Sequence, residues 1–263
     1  MSSDATSLSS SITNRCSLPP WALASCEFQD NPWPIEIIGV KDAERRLFEQ
    51  LETIETPDGR GQHFHDYLSK RFLLDQFDAA VPDSPGRHNY IRFLRDWGAD
   101  SNRRGGAVLK AWVESRFGLR PTYHAGILRN NPEAQERYVR DRMNGETVTM
   151  GITMQLDLLY TFCQYELARR FPAERWKTLY RGTYNPEEYT PASGDKSLIE
   201  LNNLSSFTSN REVAWEFGSS VWEVKIPIPK IVFFPGLLPR SLLQGEQEHL
   251  VLGGQYRYRK LAW

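Results

Sequence analysis

Up to Arg170 apolar side chains return every three or four positions, and beyond it they alternate with polar ones. Asp42 is placed to cap a helix carrying Leu47, Leu51 and Ile54. Tyr67, Phe72, Leu73 and Phe77 predict a second helix, and Tyr90, Phe93, Leu94 and Trp97 a third. Ala107 to Phe117 form a fourth, closed by Gly118. Further helices are expected over residues 132–143 and 154–170. Residues 18–40 instead alternate prolines with aromatics, as in Pro19-Pro20-Trp21 and Asn31-Pro32-Trp33-Pro34, and read as extended chain laid on a surface. After Phe171-Pro172 the pattern predicts strands at 177–182, 204–208, 221–226 and 231–234, with one short helix at 211–217. Leu250 to Leu252 and Gln255 to Leu261 suggest a closing hairpin around Gly253-Gly254. Helices followed by strands make an α+β chain, with its boundary near residues 171–176. The expected parts are a disordered, Ser- and Thr-rich lead at 1–17, a mainly helical region at 18–172 and a β core at 173–263.

Composition narrows the function classes. Hydrophobic content of 40% with 12% aromatics suits a folded protein, and a net charge of -1 gives no global field for nucleic acid or membrane. The densest basic cluster, Arg257, Arg259 and Lys260, alternates with Tyr256 and Tyr258 and reads as the polar face of a strand. No apolar run reaches membrane-spanning length, and the lead has no secretory pattern. Cys16, Cys26 and Cys163 are too few and too scattered for a disulfide scaffold or a zinc knuckle, so a reducing cytoplasm is expected and no metal site is assigned.

Three short segments carry the candidate chemistry. Glu246-Gln247-Glu248 precedes the apolar run Leu250-Val251-Leu252; at a strand entrance its two carboxylates share one face, a pair suited to a cationic substrate or transition state. Arg181 ends a strand beside Gly182, where another backbone or a ligand can come close and a guanidinium can grip a phosphate through its planar fork. Ser206 and Thr208 share a strand face just before the helix at 211–217, with Phe207 packing inward and Ser209 or Asn210 available as a cap. Trp215, Phe217 and Tyr184 are candidates for stacking on a ring, though such aromatics also fill cores. His63 and His65, two apart on a helix, diverge and do not share a metal; Cys163 reads as core and Glu187-Glu188 as a solvated turn. With no Gly-x-Gly-x-x-Gly after a strand, a dinucleotide would not be held in the Rossmann manner.

The order of Tyr180-Arg181-Gly182-Thr183, Leu204 to Gly218 and Glu246 to Leu252 resembles the Arg-Ser-Glu class of mono-ADP-ribosyltransferases. The whole chain, including Pro19-Pro20-Trp21-Ala22, resembles the dinitrogenase reductase ADP-ribosyltransferases of nitrogen-fixing bacteria. That resemblance implies two packed sheets with an NAD cleft between them, and transfer of ADP-ribose from NAD to an arginine of the nitrogenase iron protein, releasing nicotinamide. It implies Arg181 on the NAD phosphate or nicotinamide-side ribose, with Gly182, Thr183, Thr208 and Phe217 beside the dinucleotide. Ser206 would support the carboxylate and nicotinamide pocket, Glu248 would be the catalytic glutamate, and Glu246 would engage the incoming guanidinium. The middle motif is Ser-Phe-Thr where the class has Ser-Thr-Ser, so Ser209 becomes the functional serine if the register slips by three. The resemblance also implies a PII-type signalling protein as regulator. Residues 187–195 and 238–245 flank the expected cleft as substrate-facing loops. Two other readings are an NAD-responsive interaction module without catalysis and an NAD glycohydrolase; a binding module has no need of two mutually repelling acids.

Overall fold

The computed structural model describes residues 14–74, 89–147, 151–241 and 248–262. Nine helices precede the strands among these residues: α1 Pro20–Ala24, α2 Cys26–Asp30, α3 Val40–Ala43, α4 Arg45–Glu52, α5 Pro57–Phe72, α6 Tyr90–Ala99, α7 Arg104–Phe117, α8 Pro132–Thr147 and α9 Ile152–Arg170. Their ends reflect local chemistry. Thr56 caps α5 by accepting from the Gly59 amide at 3.2 Å, and Pro57 fills the first turn, where a missing N–H costs nothing. Asn89 caps α6 through the Arg92 amide at 3.1 Å, and Gly118, at φ 70°, ends α7.

Two expectations for the N-terminal part are corrected. Residues 18–40 are not simply extended: Pro20 opens α1, because proline's fixed φ suits a first helical turn. Asp42 lies inside α3 and caps nothing; α4 begins after Glu44, and Ile54 lies beyond its end. Of the lead expected at 1–17, residues 14–17 run against the helices, Cys16 bridging Ile37. Phe77 lies outside the described residues.

Helix α9 is buried nearly all round and forms the axis of the helical part. Its polar residues are paired: Asp157 accepts from Arg116 Nε and Nη2 at 2.8 and 2.9 Å and from Trp112 Nε1 at 2.8 Å. Such pairing is what makes a buried carboxylate tolerable. One apolar cluster runs from Leu47, Phe64 and Phe162 to Leu204, Val224 and Val251, so helices and strands pack on a shared core.

The strands are β1 Trp176–Thr183, β2 Leu198–Thr208, β3 Ser220–Pro227, β4 Ile231–Phe233, β5 Glu248–Arg257 and β6 Arg259–Leu261, with α10 Arg211–Glu216 between β2 and β3. In place of the two packed sheets that the resemblance implies, they form one antiparallel six-stranded sheet in the order β4-β5-β2-β1-β3-β6. It is joined unevenly. β1 pairs with β3 along its whole length, and β2 with β5 from Leu198 opposite Arg257 to Thr208 opposite Glu248. β1 and β2 meet only at Tyr180 opposite Thr208. The sheet thus has two halves hinged at one residue pair, a division that strand periodicity alone does not reveal.

The hairpin expected at Gly253-Gly254 is also corrected: both glycines lie within β5, which continues along β2, and β6 pairs with β3. The glycines serve close approach. A Cβ on Gly253 would stand 1.9 Å from the Asn202 carbonyl oxygen, where β2 bulges between Leu201 and Leu204.

Candidate active site

Every described segment of the sequence motifs converges on the seam between β1 and β2. Cross-strand partners share a face, so Thr208 lies with Glu248, and Ser206, two residues earlier and opposite Leu250, lies on the same face. That face carries the Ser206 hydroxyl, the Thr208 hydroxyl and the Glu248 carboxylate. Tyr180, paired with Thr208, takes the same side, so Arg181 leaves β1 on the other one. Its guanidinium nevertheless reaches β2: Nη1 donates to the Ser206 carbonyl at 2.7 Å, and Nη2 to the Tyr189 hydroxyl at 3.1 Å. A side chain thus spans the strands where their backbone ladder is missing. Two of its five N–H groups are used; of the others, Nε is buried without a partner.

The remaining candidates divide. Gly182 is where α10 crosses β1: a Cβ there would lie 2.0 Å from the Ala214 carbonyl oxygen. The second backbone that glycine admits is therefore α10. Thr183 is buried and its hydroxyl accepts from the Asn185 amide at 3.2 Å; the Thr208 hydroxyl accepts from the Asn210 amide at 3.1 Å. Both hydroxyls tie down turns. Phe217 ends α10 and is 58% exposed, and Tyr184, just beyond β1, is 69% exposed. Ser209 is exposed and beyond the end of β2, while Asn210 caps α10 through the Glu212 amide at 2.9 Å. Glu246 lies outside the described residues.

Three neighbours carry no sequence signal of their own. Tyr189, in a single turn of 3-10 helix, braces Arg181 and meets the Trp222 ring edge-on at 5.2 Å. His249, next after Glu248, points to the opposite face; burial and the nearby Lys177 push its imidazole down to about 4, so it is neutral, and its Nδ1 has no partner. Trp97 of α6 donates its indole N–H to the Ser206 hydroxyl at 2.8 Å. The one cue to it is chemical: a buried tryptophan needs an acceptor. His63 and His65 are accounted for structurally, His63 by Gln50 at 2.9 Å and His65 by the Tyr90 hydroxyl at 2.9 Å. Cys163 is fully buried beside the Ile231 carbonyl, as expected of a core residue.

A cavity of about 820 Å³ opens elsewhere, between the 32–42 segment and α9, and includes none of Arg181, Ser206 and Glu248. It is lined by charged side chains of its own, among them Glu36, Lys41, Glu52, Arg169 and Arg175, but by none of the motif residues that gather around β2.

Comparison with known proteins agrees with the motif order. The profile of the family described as dinitrogenase reductase ADP-ribosyltransferase matches residues 13–260. The chain is 39% identical over 255 residues to the NAD(+)--dinitrogen-reductase ADP-D-ribosyltransferase of Rhodospirillum rubrum, covering 93% of this chain and 92% of that protein. No solved structure matches it. This chain belongs to the dinitrogenase reductase ADP-ribosyltransferase family.

Proposed function

We propose that this chain transfers ADP-ribose from NAD to an arginine of dinitrogenase reductase, releasing nicotinamide, and that it does so at the β1–β2 seam. Family membership supports the activity. The observation that carries the placement is the reach of Arg181 onto the Ser206 carbonyl where β1 and β2 part, with Glu248 on the face of the Ser206 hydroxyl.

The roles rest on charge. As the bond from nicotinamide to ribose breaks, its electron pair leaves with nicotinamide and positive charge builds on the sugar. Glu248, fixed at the strand entrance, stabilises that charge more than the ground state. Arg181 has N–H groups left on both terminal nitrogens for the NAD phosphate or the adjoining ribose. Ser206 holds the carboxylate side of the pocket. Gly182, Thr183 and Thr208 shape its walls, and exposed Phe217 offers a ring to the dinucleotide. The acceptor guanidinium arrives protonated, and Glu246 orients it and takes the proton released when its nitrogen bonds to the ribose carbon.

Two packed half-sheets enclosing the dinucleotide are the arrangement we favour for the bound state, the single Tyr180–Thr208 pair serving as their hinge. The cytoplasm suits three free, buried thiols, and no helix among the described residues is long and apolar enough to cross a membrane. A PII-type regulator rests on family likeness. The deciding experiment incubates the full chain with labelled NAD and purified dinitrogenase reductase, native against Glu248→Gln. Label should pass to the iron protein with the native chain, and Glu248→Gln should lose it by at least roughly 10²-fold. An active Glu248→Gln would remove that residue from the reaction.

A further inference from the structure

The indole nitrogen of Trp97 is a donor only, so its 2.8 Å contact with Ser206 Oγ fixes the serine as acceptor. The one proton of that hydroxyl is then directed away from α6. Glu248, opposite Thr208, lies diagonally across the same strand face. We infer that Trp97 is a positioning residue for ADP-ribosyl transfer: it holds the Ser206 hydroxyl so that its proton serves the Glu248 side of the pocket. This rests on the roles proposed above for Ser206 and Glu248.

Both sides of the contact are anchored. Trp97 is 4% exposed, on a helix whose first amide donates to Gln155 of α9 at 3.0 Å. Over its ring, at 5.7 Å, sits the buried Lys110 ammonium, which donates to the Ser101 carbonyl at 3.0 Å and contacts His124 Nδ1 at 3.3 Å. A cation there draws electron density from the indole and sharpens the N–H as a donor. His124 in turn meets Asp141 of α8 at 3.2 Å. On the strand side, Asn203, three residues before Ser206, donates to the Lys110 and Leu119 carbonyls at 2.8 and 2.9 Å. Helices α6 and α7 thus hold β2 at the hydroxyl and three residues before it. This gives the helical part a place in the reaction that no motif residue supplies.

The test is a double-mutant cycle on the full chain, Trp97→Phe with Ser206→Ala. NAD cleavage and transfer to the iron protein are both measured. Trp97→Phe keeps a ring and loses the N–H. It should lower kcat in both assays by the same factor, roughly 3- to 10-fold, which is what one net hydrogen bond amounts to, with the NAD KM nearly unchanged. In the Ser206→Ala background the same substitution should do nothing more. An equal fall in both backgrounds means that Trp97 merely packs, and no fall means that the N–H is irrelevant; either overturns the inference. Full activity of Ser206→Ala alone would instead refute the role of Ser206, and this inference with it. Should Trp97→Phe fail to fold, benzothienylalanine at position 97, isosteric with sulfur in place of N–H, decides on the same criteria.

Discussion

Replacing Arg181 by lysine keeps the charge and much of the stem but removes the fork. The native guanidinium bonds the Ser206 carbonyl at 2.7 Å and the Tyr189 hydroxyl at 3.1 Å at once, bridging strands that otherwise pair only at Tyr180 and Thr208. A lysine ammonium at the end of a single stem can satisfy one of these acceptors in place. One hydrogen bond from a charged donor contributes about 1.5–3 kcal/mol when well buried; Arg181 is half-buried, so about 1–2 kcal/mol is the expected loss of stability. For a chain of this size that corresponds to a fall in Tm of roughly 2–8 °C. On the enzyme, losing paired contacts to a phosphate should lower kcat/KM for NAD by roughly 10- to 100-fold, mostly through KM if the contact is equal in ground and transition states. Differential scanning calorimetry and steady-state kinetics of nicotinamide release measure the two effects separately. A lysine variant with kcat/KM within about twofold of native would show that the guanidinium fork does not hold the dinucleotide. An unchanged Tm would show that the bridge across the seam contributes nothing.

Other residues give three more expected outcomes. Glu246→Gln should leave NAD cleavage nearly intact while lowering transfer to arginine by roughly 10²- to 10⁴-fold, assayed as nicotinamide release against label on the iron protein; equal loss of both would end the division of labour between the two glutamates. Gly253→Ala forces a Cβ to within 1.9 Å of the Asn202 carbonyl oxygen, and the β2 bulge must give; a loss of about 1–3 kcal/mol or more is expected in urea unfolding, and an unchanged midpoint would mean that the contact relaxes freely. Lys230 is fully buried, its ammonium donating to the Gly253 carbonyl at 3.1 Å, and burial lowers its pKa from 10.5 to about 7. Between those values the unfolded chain carries a proton that the folded chain lacks, so stability from this group rises with pH across that window. Lys230→Met should be most favourable relative to native at pH 7 and lose that advantage toward pH 10.5; parallel stability curves for the two proteins would refute the linkage.

Local chemistry is legible in the sequence and long-range partnership is not. Asn89, Thr56 and Gly118 act within a few residues of themselves, so the ends of α6, α5 and α7 can be read from side-chain type alone. Pro19-Pro20 misleads because proline has two uses, extended chain and first helical turn, and only the residues after it separate them. Gly253-Gly254 misleads for a related reason: the same absence of a Cβ serves a turn or a close approach. Here the approach comes from Asn202, some fifty residues earlier in the chain. Burial along β5 does not alternate there, His249 to Gly253 being buried in succession, so periodicity does not separate the two uses.

At the site the same division has a sharper form. Arg181, Ser206 and Glu248 can be named because each stands in a short motif, and the shared face of Ser206 and Thr208 comes from a period of two; Glu248 joins that face only through the β2–β5 register. The seam cannot be named, because pairing between β1 and β2 at one residue pair is a property of neither strand. Trp97 stands between these cases. In the apolar stripe of α6, phenylalanine would serve packing as well, and an indole adds an N–H that burial obliges the fold to satisfy. The helix alone therefore implies that an acceptor exists. That the acceptor is Ser206, 109 residues away, decides whether the donor is a packing detail or part of the reaction. The helical half then bears on catalysis through one N–H, and the double-mutant cycle asks whether that N–H matters only while the serine hydroxyl is present.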